Sequence, residues 1–170
     1  LNALMGATTG TITATVNGDG AQLDGLQATG TGGNTQTLTI TVNDAMTGSG
    51  GVTSLNAISA STTTTVTAAA VSGNSADLAS LSAHGGKQAY TITVDNATNA
   101  ANGAAIAAAT TATTVDFSAA GVNEAFAALT TGTAVSANMQ AIDAKDADVA
   151  ITVNDTVATA SADNITALNA

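Results

Sequence analysis

The sequence predicts an α/β chain built as a solenoid of stacked strand–short helix rungs, about 26 residues per rung, with a parallel sheet on one face. Three observations predict it. Short β-branched stretches recur with strict alternation. Ala-rich stretches with apolar residues three apart lie between them. The combined pattern repeats, so that a phrase met at residue 1 returns at residue 55 and starts again at residue 168.

The strands come first in the argument. "TITATV" (11–16), "LTITV" (38–42), "TTTTVT" (62–67), "YTITV" (90–94), "TTVDF" (113–117) and "AITV" (150–153) alternate Thr with Ile or Val, the period of a strand with one wet face. The first four reach Val16, Val42, Val66 and Val94, in steps of 26, 24 and 28 residues. The i, i+3 pairs Leu23/Leu26, Leu78/Leu81 and Phe126/Leu129 have helical spacing. A compact three-layer α/β fold also alternates strands and helices, but its doubly covered sheet calls for continuous apolar runs.

A longer unit holds two rungs. "LNAL" at Leu1 returns as "LNAI" at Leu55 and, degenerate, as "AAIA" at Ala104, dividing the chain into units 1–54, 55–103 and 104–167 of one array cut from a longer chain. The third unit is lengthened by "AVSANMQAIDAKDADV", where Val135, Met139 and Ile142 share a helical face, so a helical insertion is expected near 134–148. The expected core is Ile12, Val16, Leu23, Leu26, Ile40, Val42, Leu55, Ile58, Val66, Leu78, Leu81, Ile92, Val94, Phe117, Phe126, Leu129, Ile151, Val153, Ile165 and Leu168.

Composition narrows the function classes. Of 170 residues 45% are hydrophobic and only 8% charged, which argues for folding and against disorder. The formal net charge is −10, twelve acids against Lys87 and Lys145, and that field repels nucleic acid phosphates and anionic lipid headgroups. No run of 18 apolar residues forms a membrane span, and no basic, apolar leader opens the sequence. Cys is absent and His84 is single, so neither a zinc site nor a nucleophile elbow is present, and an enzyme is not expected. The "GSGG" at Gly48 lacks the following Lys-Ser/Thr of a phosphate loop. Glu124 reads as a solvated residue on the helix that carries Phe126.

The phrase "LNAL-x-x-ATTGTITATV" with "GAQLDGL" and "SADLASL" resembles the Ala/Thr/Gly-rich repeats of very long bacterial surface proteins of the kind found in marine cyanobacteria, some of them S-layer-like or motility-associated. The resemblance spans most of the chain apart from the insertion. It implies an extracellular, cell-surface location and a structural or adhesive role as an S-layer, fibre or adhesin scaffold, with self-association through neighbouring repeats or copies of the chain. It brings no catalytic residues and no required cofactor.

Calcium is the one cofactor with candidates. Asp19, Asp44, Asp95 and Asp155 each stand just after a strand, in Asn-Gly-Asp, Asn-Asp, Asp-Asn and Asn-Asp contexts, and stacked rungs would align them in a column of oxygen ligands. The same residues serve equally as hydrogen-bonded turns or as N-caps of the helix that follows. Asp143, Asp146 and Asp148 form a second acidic cluster, partly offset by Lys145. The Thr rows 11/13/15, 37/39/41 and 91/93 offer a flat ice-binding surface as a further alternative, against ordinary β-propensity with a wettable face.

Overall fold

A computed structural model describes residues 1–119, 121–132 and 134–155. Helix α1 (Asn2–Ala7) leads into strand β1 (Thr11–Gly18) and helix α2 (Gly20–Leu23). Strands β2 (Thr35–Val42) and β3 (Met46–Thr47) precede helix α3 (Gly48–Ala60). Strand β4 (Val66–Gly73), helix α4 (Ser75–Leu78), strand β5 (Gln88–Val94) and helix α5 (Ala100–Ala108) repeat that order. Strands β6 (Val115–Asp116) and β7 (Val122–Glu124), helix α6 (Phe126–Leu129), strands β8 (Thr130–Thr131) and β9 (Ala134–Val135), helix α7 (Ala137–Asp143) and strand β10 (Ile151–Val153) complete the described chain.

The main sheet has six strands in the order β1-β2-β4-β5-β6, with β3 also on β4, and every pair in it is parallel. Strand order therefore follows chain order. Parallel neighbours need a crossover of a dozen or more residues, and here each crossover carries a helix. The helices α2, α3, α4, α5 and α7 touch one another in chain order as well. A second parallel pair joins β7 to β10, and β8 with β9 forms a short antiparallel hairpin.

The alternation in the sequence sets the inside and the outside. In β2, Gln36, Leu38, Ile40 and Val42 are buried while Thr35 and Thr39 face solvent. In β5, Gln88, Tyr90, Ile92 and Val94 are buried and Thr91 is exposed. The inward residues other than Gln36 and Gln88 join Leu55, Ile58, Leu78, Ile106, Leu129 and Ile142 in one apolar cluster. Leu78→Ala is expected to cost about 2–5 kcal/mol in urea unfolding, because its fully buried side chain leaves a cavity among small neighbours.

Tyr90, the single tyrosine, lies within the cluster with its hydroxyl 2.5 Å from Ser59 Oγ. Burial pushes its pKa up to about 12, while the Ser59 bond pulls the other way. A raised folded-state value stabilises the fold fully below the ordinary value of 10.0, and that contribution is lost as pH climbs through about 12. Phenolate absorbance of the native protein is therefore expected to stay low at pH 10.5 (roughly one half-unit above the free phenol) and to rise only near unfolding.

Several expectations need correction. The stretch 62–67 is strand only from Val66 onward, because Thr62, Thr63 and Thr64 turn their side chains onto the carbonyls of β2. The strand extends instead through Ala69 and Ala70 to Gly73, which the Ala run had hidden. Glu124 ends β7 and is not helical, and its carboxylate accepts from Ala125 N–H at 3.1 Å. Phe126 is half-buried and Ile151 is 41% exposed, so neither belongs to the core among the described residues. Ile165 and Leu168 lie outside the described residues. The insertion near 134–148 does carry a helix, α7, with Met139 and Ile142 buried against α5. The unit boundaries at 55 and 104 fall inside α3 and α5.

Candidate functional site

The polar residues of this protein gather where one strand–helix segment meets the next, and three kinds of contact recur there. The first is at the ends of β2, β5 and β10. Asn43 N–H donates to Gly18 O (3.0 Å) and Gly20 N–H donates to Asp44 Oδ1 (2.7 Å). Asp95 N–H donates to Gly73 O (2.9 Å) and Ser75 N–H donates to Asn96 Oδ1 (2.7 Å). Asn154 N–H donates to Glu124 O (3.1 Å) and Phe126 N–H donates to the Asp155 carboxylate (3.2 and 3.3 Å). Gly20, Ser75 and Phe126 are the first residues of α2, α4 and α6, whose opening N–H groups have no partner within the helix. A short acceptor side chain satisfies them, and it comes from the following segment.

The sequence-predicted metal residues thus have different places. Asp19 is the N-cap of α2, with its N–H on Gln22 Oε1 at 3.2 Å, and Asp44 accepts the N–H of Gly20, the residue after Asp19. Asp155 caps α6. Asp95 is exposed, and its neighbour Asn96 makes the bond to α4. Caps were foreseen for the helix that follows each strand; Asp44 and Asn96 reach back to the helix before it, and Asp155 reaches past α7 to α6. Among the described residues no group of three or more His, Cys, Asp or Glu is placed to hold a metal ion. Asp44→Ala and Asn96→Ala should each lower stability by about 0.5–2 kcal/mol, and Asp95→Ala by no more than about 0.5 kcal/mol, read from denaturant midpoints.

The second contact explains the Leu-Asn-Ala phrase. Asn56 Nδ2 donates to Ser80 O (2.9 Å) and Ser82 N–H donates to Asn56 Oδ1 (2.8 Å), so one amide ties α3 to the loop after α4. Asn2 does the same for the loop after α2, through Gly25 O (2.8 Å) and Gln27 N–H (3.2 Å). The third contact is a Thr turn. Thr62 Oγ1 accepts Leu38 N–H (2.8 Å) and donates to Leu38 O (2.7 Å), while Thr63 N–H donates to Gln36 O (2.8 Å). Thr110 and Thr111 repeat this on Tyr90 and Gln88. The Asn signal was visible in the sequence only as a repeat marker, and the Thr run was read as strand.

The acidic cluster sits beside a shallow groove of about 310 Å³ between β5, β6 and the end of α7, lined by Thr91, Thr93, Asp116, Lys145, Asp146 and Asp148 among others. Asp146 accepts Phe117 N–H at 2.8 Å. Burial pushes its carboxyl up, and the nearby Asp148 and Asp116 push the same way against that N–H. Asp116 is held low by the Ser118 hydroxyl and N–H. Lys145 Nζ donates to Thr110 O (3.1 Å) and Ala112 O (2.5 Å), tying α7 to the second Thr turn. His84 is exposed in a loop with φ of 29°, and Gly48 opens α3 with φ of 58°.

The outer Thr face is real over two strands. Thr11, Thr13 and Thr15 stand opposite Thr35, Thr37 and Thr39, and the hydroxyls of Thr13 and Thr37 are 2.7 Å apart. On β4 Thr67 stands opposite Thr41, and further along the strand the outward positions are Ala69 and Ala70. No protein-family model, curated protein or solved structure matches the chain.

Proposed function

We propose that this chain is a structural repeat segment of an extracellular bacterial surface protein, an S-layer, fibre or adhesin scaffold that acts by self-stacking of α/β rungs in a solenoid. The observation that carries the reading is the recurrence of the same three clamps, each once per two-rung unit, with partners about one rung apart in sequence. Asp44 reaches Gly20 across 24 residues, Asn96 reaches Ser75 across 21 and Asp155 reaches Phe126 across 29. A rung of Ala, Thr and Gly buries too little apolar area to fold alone, so its polar groups are used to hold its neighbours in register.

The reading needs no catalytic step and no cofactor. The surface resemblance of the Leu-Asn-Ala phrases supports the extracellular location, and an acidic exterior with two Lys keeps such arrays soluble. The charge of −10 disfavours nucleic acid as a partner. No helix among the described residues is long and apolar enough to cross a membrane. Against a calcium-dependent adhesion module stands the use of Asp44 and Asp155 as helix caps. Against an ice-binding face stands the interruption of the Thr rows at β4.

Thermal unfolding in excess EDTA and in millimolar CaCl₂ separates these readings. Superimposed curves are expected of a scaffold. A calcium ion bound only to the folded state adds about 2.7 kcal/mol at a hundred times Kd, so a rise of many degrees would replace the scaffold by a calcium-dependent module.

A further inference from the structure

The approach of the chain to β10 departs from the internal pattern at one place. Val66 N–H donates to Lys87 O and Val115 N–H donates to Lys145 O, both at 3.3 Å, so Lys145 is the counterpart of Lys87. Further along, β7 meets β10 as the second half of β4 meets β5. Val122–Ile151, Asn123–Thr152 and Glu124–Val153 repeat the pairs Val71–Ile92, Ser72–Thr93 and Gly73–Val94. Five residues lead from Lys87 to Ile92, but six lead from Lys145 to Ile151. The extra residue does not fit the same ladder, and residues 146–149 form no strand. Phe117, the counterpart of Ala68, therefore gives its N–H to the Asp146 carboxylate (2.8 Å), whereas Ala68 pairs with Tyr90 in β5.

One carboxylate thus stands in for strand backbone, and it does so beside two others. The Asp148 carboxyl is hydrogen-bonded to that of Asp146, and Asp116 on β6 lines the same groove. The Ser118 hydroxyl (2.5 Å) and N–H (2.8 Å) hold Asp116 in its ionised form. From β5 the groove is lined by Thr91, Ile92 and Thr93, which carry no charge. Lys145 is the one cation in the lining, and its ammonium is directed onto Thr110 O (3.1 Å) and Ala112 O (2.5 Å). Two carboxylates in hydrogen-bond contact repel each other, whereas a carboxyl and a carboxylate attract. Burial pushes the Asp146 carboxyl up, and Asp148 and Asp116 add to that push against the Phe117 N–H. The Asp146–Asp148 pair takes up its proton as a unit.

We propose that this carboxyl cluster is a proton-dependent latch: one proton shared by Asp146 and Asp148 fastens residues 145–148 to β6, and its loss releases them while the main sheet stays closed. In the singly protonated pair one carboxyl donates to the other, and an oxygen of Asp146 remains to accept Phe117 N–H. With both ionised, Asp146 meets negative charge on Asp148 and Asp116 together, and turning away relieves the repulsion with the loss of one hydrogen bond. The raised folded-state value sets the sign: the latch is fully present below the ordinary value of 3.8 and is lost as pH rises through the raised one. Asp116 acts in the opposite sense, its contribution being lost as pH falls through its lowered value. Global stability mixes the two, so the latch is read locally. It does not rest on the scaffold reading.

Amide hydrogen exchange and carboxyl titration of the full chain, both followed by NMR, test it. Protection of Val115 and Phe117, corrected for intrinsic exchange rates, should fall at least about tenfold between about pH 4 and about pH 7. Ile40, whose N–H donates to Thr65 O (3.0 Å) within the main sheet, should keep its protection throughout. Asp148→Asn gives Asp146 an amide donor that needs no proton. In that variant protection at Val115 and Phe117 should stay high and flat with pH, and the proton affinity of Asp146 should drop at least about tenfold. Asp24→Asn, outside the groove, should leave the pH dependence as it is. Native protection at Ile40 shows that each variant folds. Protection at Val115 and Phe117 that is flat with pH in the wild type, or a pH dependence that survives Asp148→Asn, overturns the latch. Recovery of protection at about pH 7 on adding millimolar CaCl₂ overturns it too, because a metal ion would then stand where the proton is placed.

Discussion

Gly121→Ala is expected to destabilise the protein by about 3 kcal/mol or more. Gly121 has φ of +64°, and an added Cβ would overlap the Ala150 carbonyl oxygen and lie 2.9 Å from its carbon. That carbonyl cannot swing aside without loss, because it accepts Val122 N–H at 2.8 Å and so aligns β7 with β10. The segment that leads into α5 is held as well, since Thr98 N–H donates to Gly121 O at 3.0 Å. Left-handed backbone alone costs an L-residue about 1–2 kcal/mol, and overpacking adds about 1–3 kcal/mol. Gly86→Ala supplies the control: its φ is +73° with open space around the added atom, so only the backbone cost of about 1–2 kcal/mol should appear. Urea midpoints at constant m-value measure both, and equal losses for the two variants would mean that the β7–β10 approach is looser than the structure shows.

How much of this was legible in the sequence follows from which physical signal each element carries. The strands β1, β2 and β5 announce themselves because Thr alternates with Ile, Leu or Val, and period two has one structural meaning. Strand β4 hides its second half because Ala69 and Ala70 carry no alternation, and a local register shift between Ala68 and Val71 breaks the period there. Long helices such as α5 read weakly for a related reason: Ala and Gly have little apolar contrast, and Gly103 is needed because Ile142 packs where its Cβ would stand. The Asn and Asp corners were legible as a recurring post-strand feature. The direction of their bonds was not, because a cap supplied 21 to 29 residues away leaves no local pattern.

The Thr turns were the hardest to foresee, and their removal is the most selective test of how the segments are joined. In a parallel ladder the N–H and C=O of one residue point to the same neighbour, so the strand that ends early leaves two groups of one residue without partners. Strand β6 starts at Val115 and meets β5 only from Ile92 onward, leaving Tyr90 uncovered on that side. One hydroxyl serves in place of a strand: Thr110 Oγ1 accepts Tyr90 N–H at 2.8 Å and donates to Tyr90 O at 2.8 Å. Thr110→Val keeps the shape and β-branching while stripping these two bonds and the one from Ala112 N–H at 3.1 Å, so no cavity forms and the loss is chiefly that of the two buried Tyr90 groups. At about 1–3 kcal/mol for each unsatisfied group, a loss of about 2–6 kcal/mol is expected. Thr62→Val removes the equivalent bonds from Leu38, but Thr64 Oγ1 also donates to Leu38 O at 2.7 Å, where the second turn has Ala112. Thr62→Val should therefore cost about 1 kcal/mol less than Thr110→Val, and Ala112→Thr in the Thr110→Val background should recover part of the difference. Equal losses at 62 and 110 would show that the backbone refills the gap itself, and the hydroxyl would then be a passenger in the turn and not the join between segments.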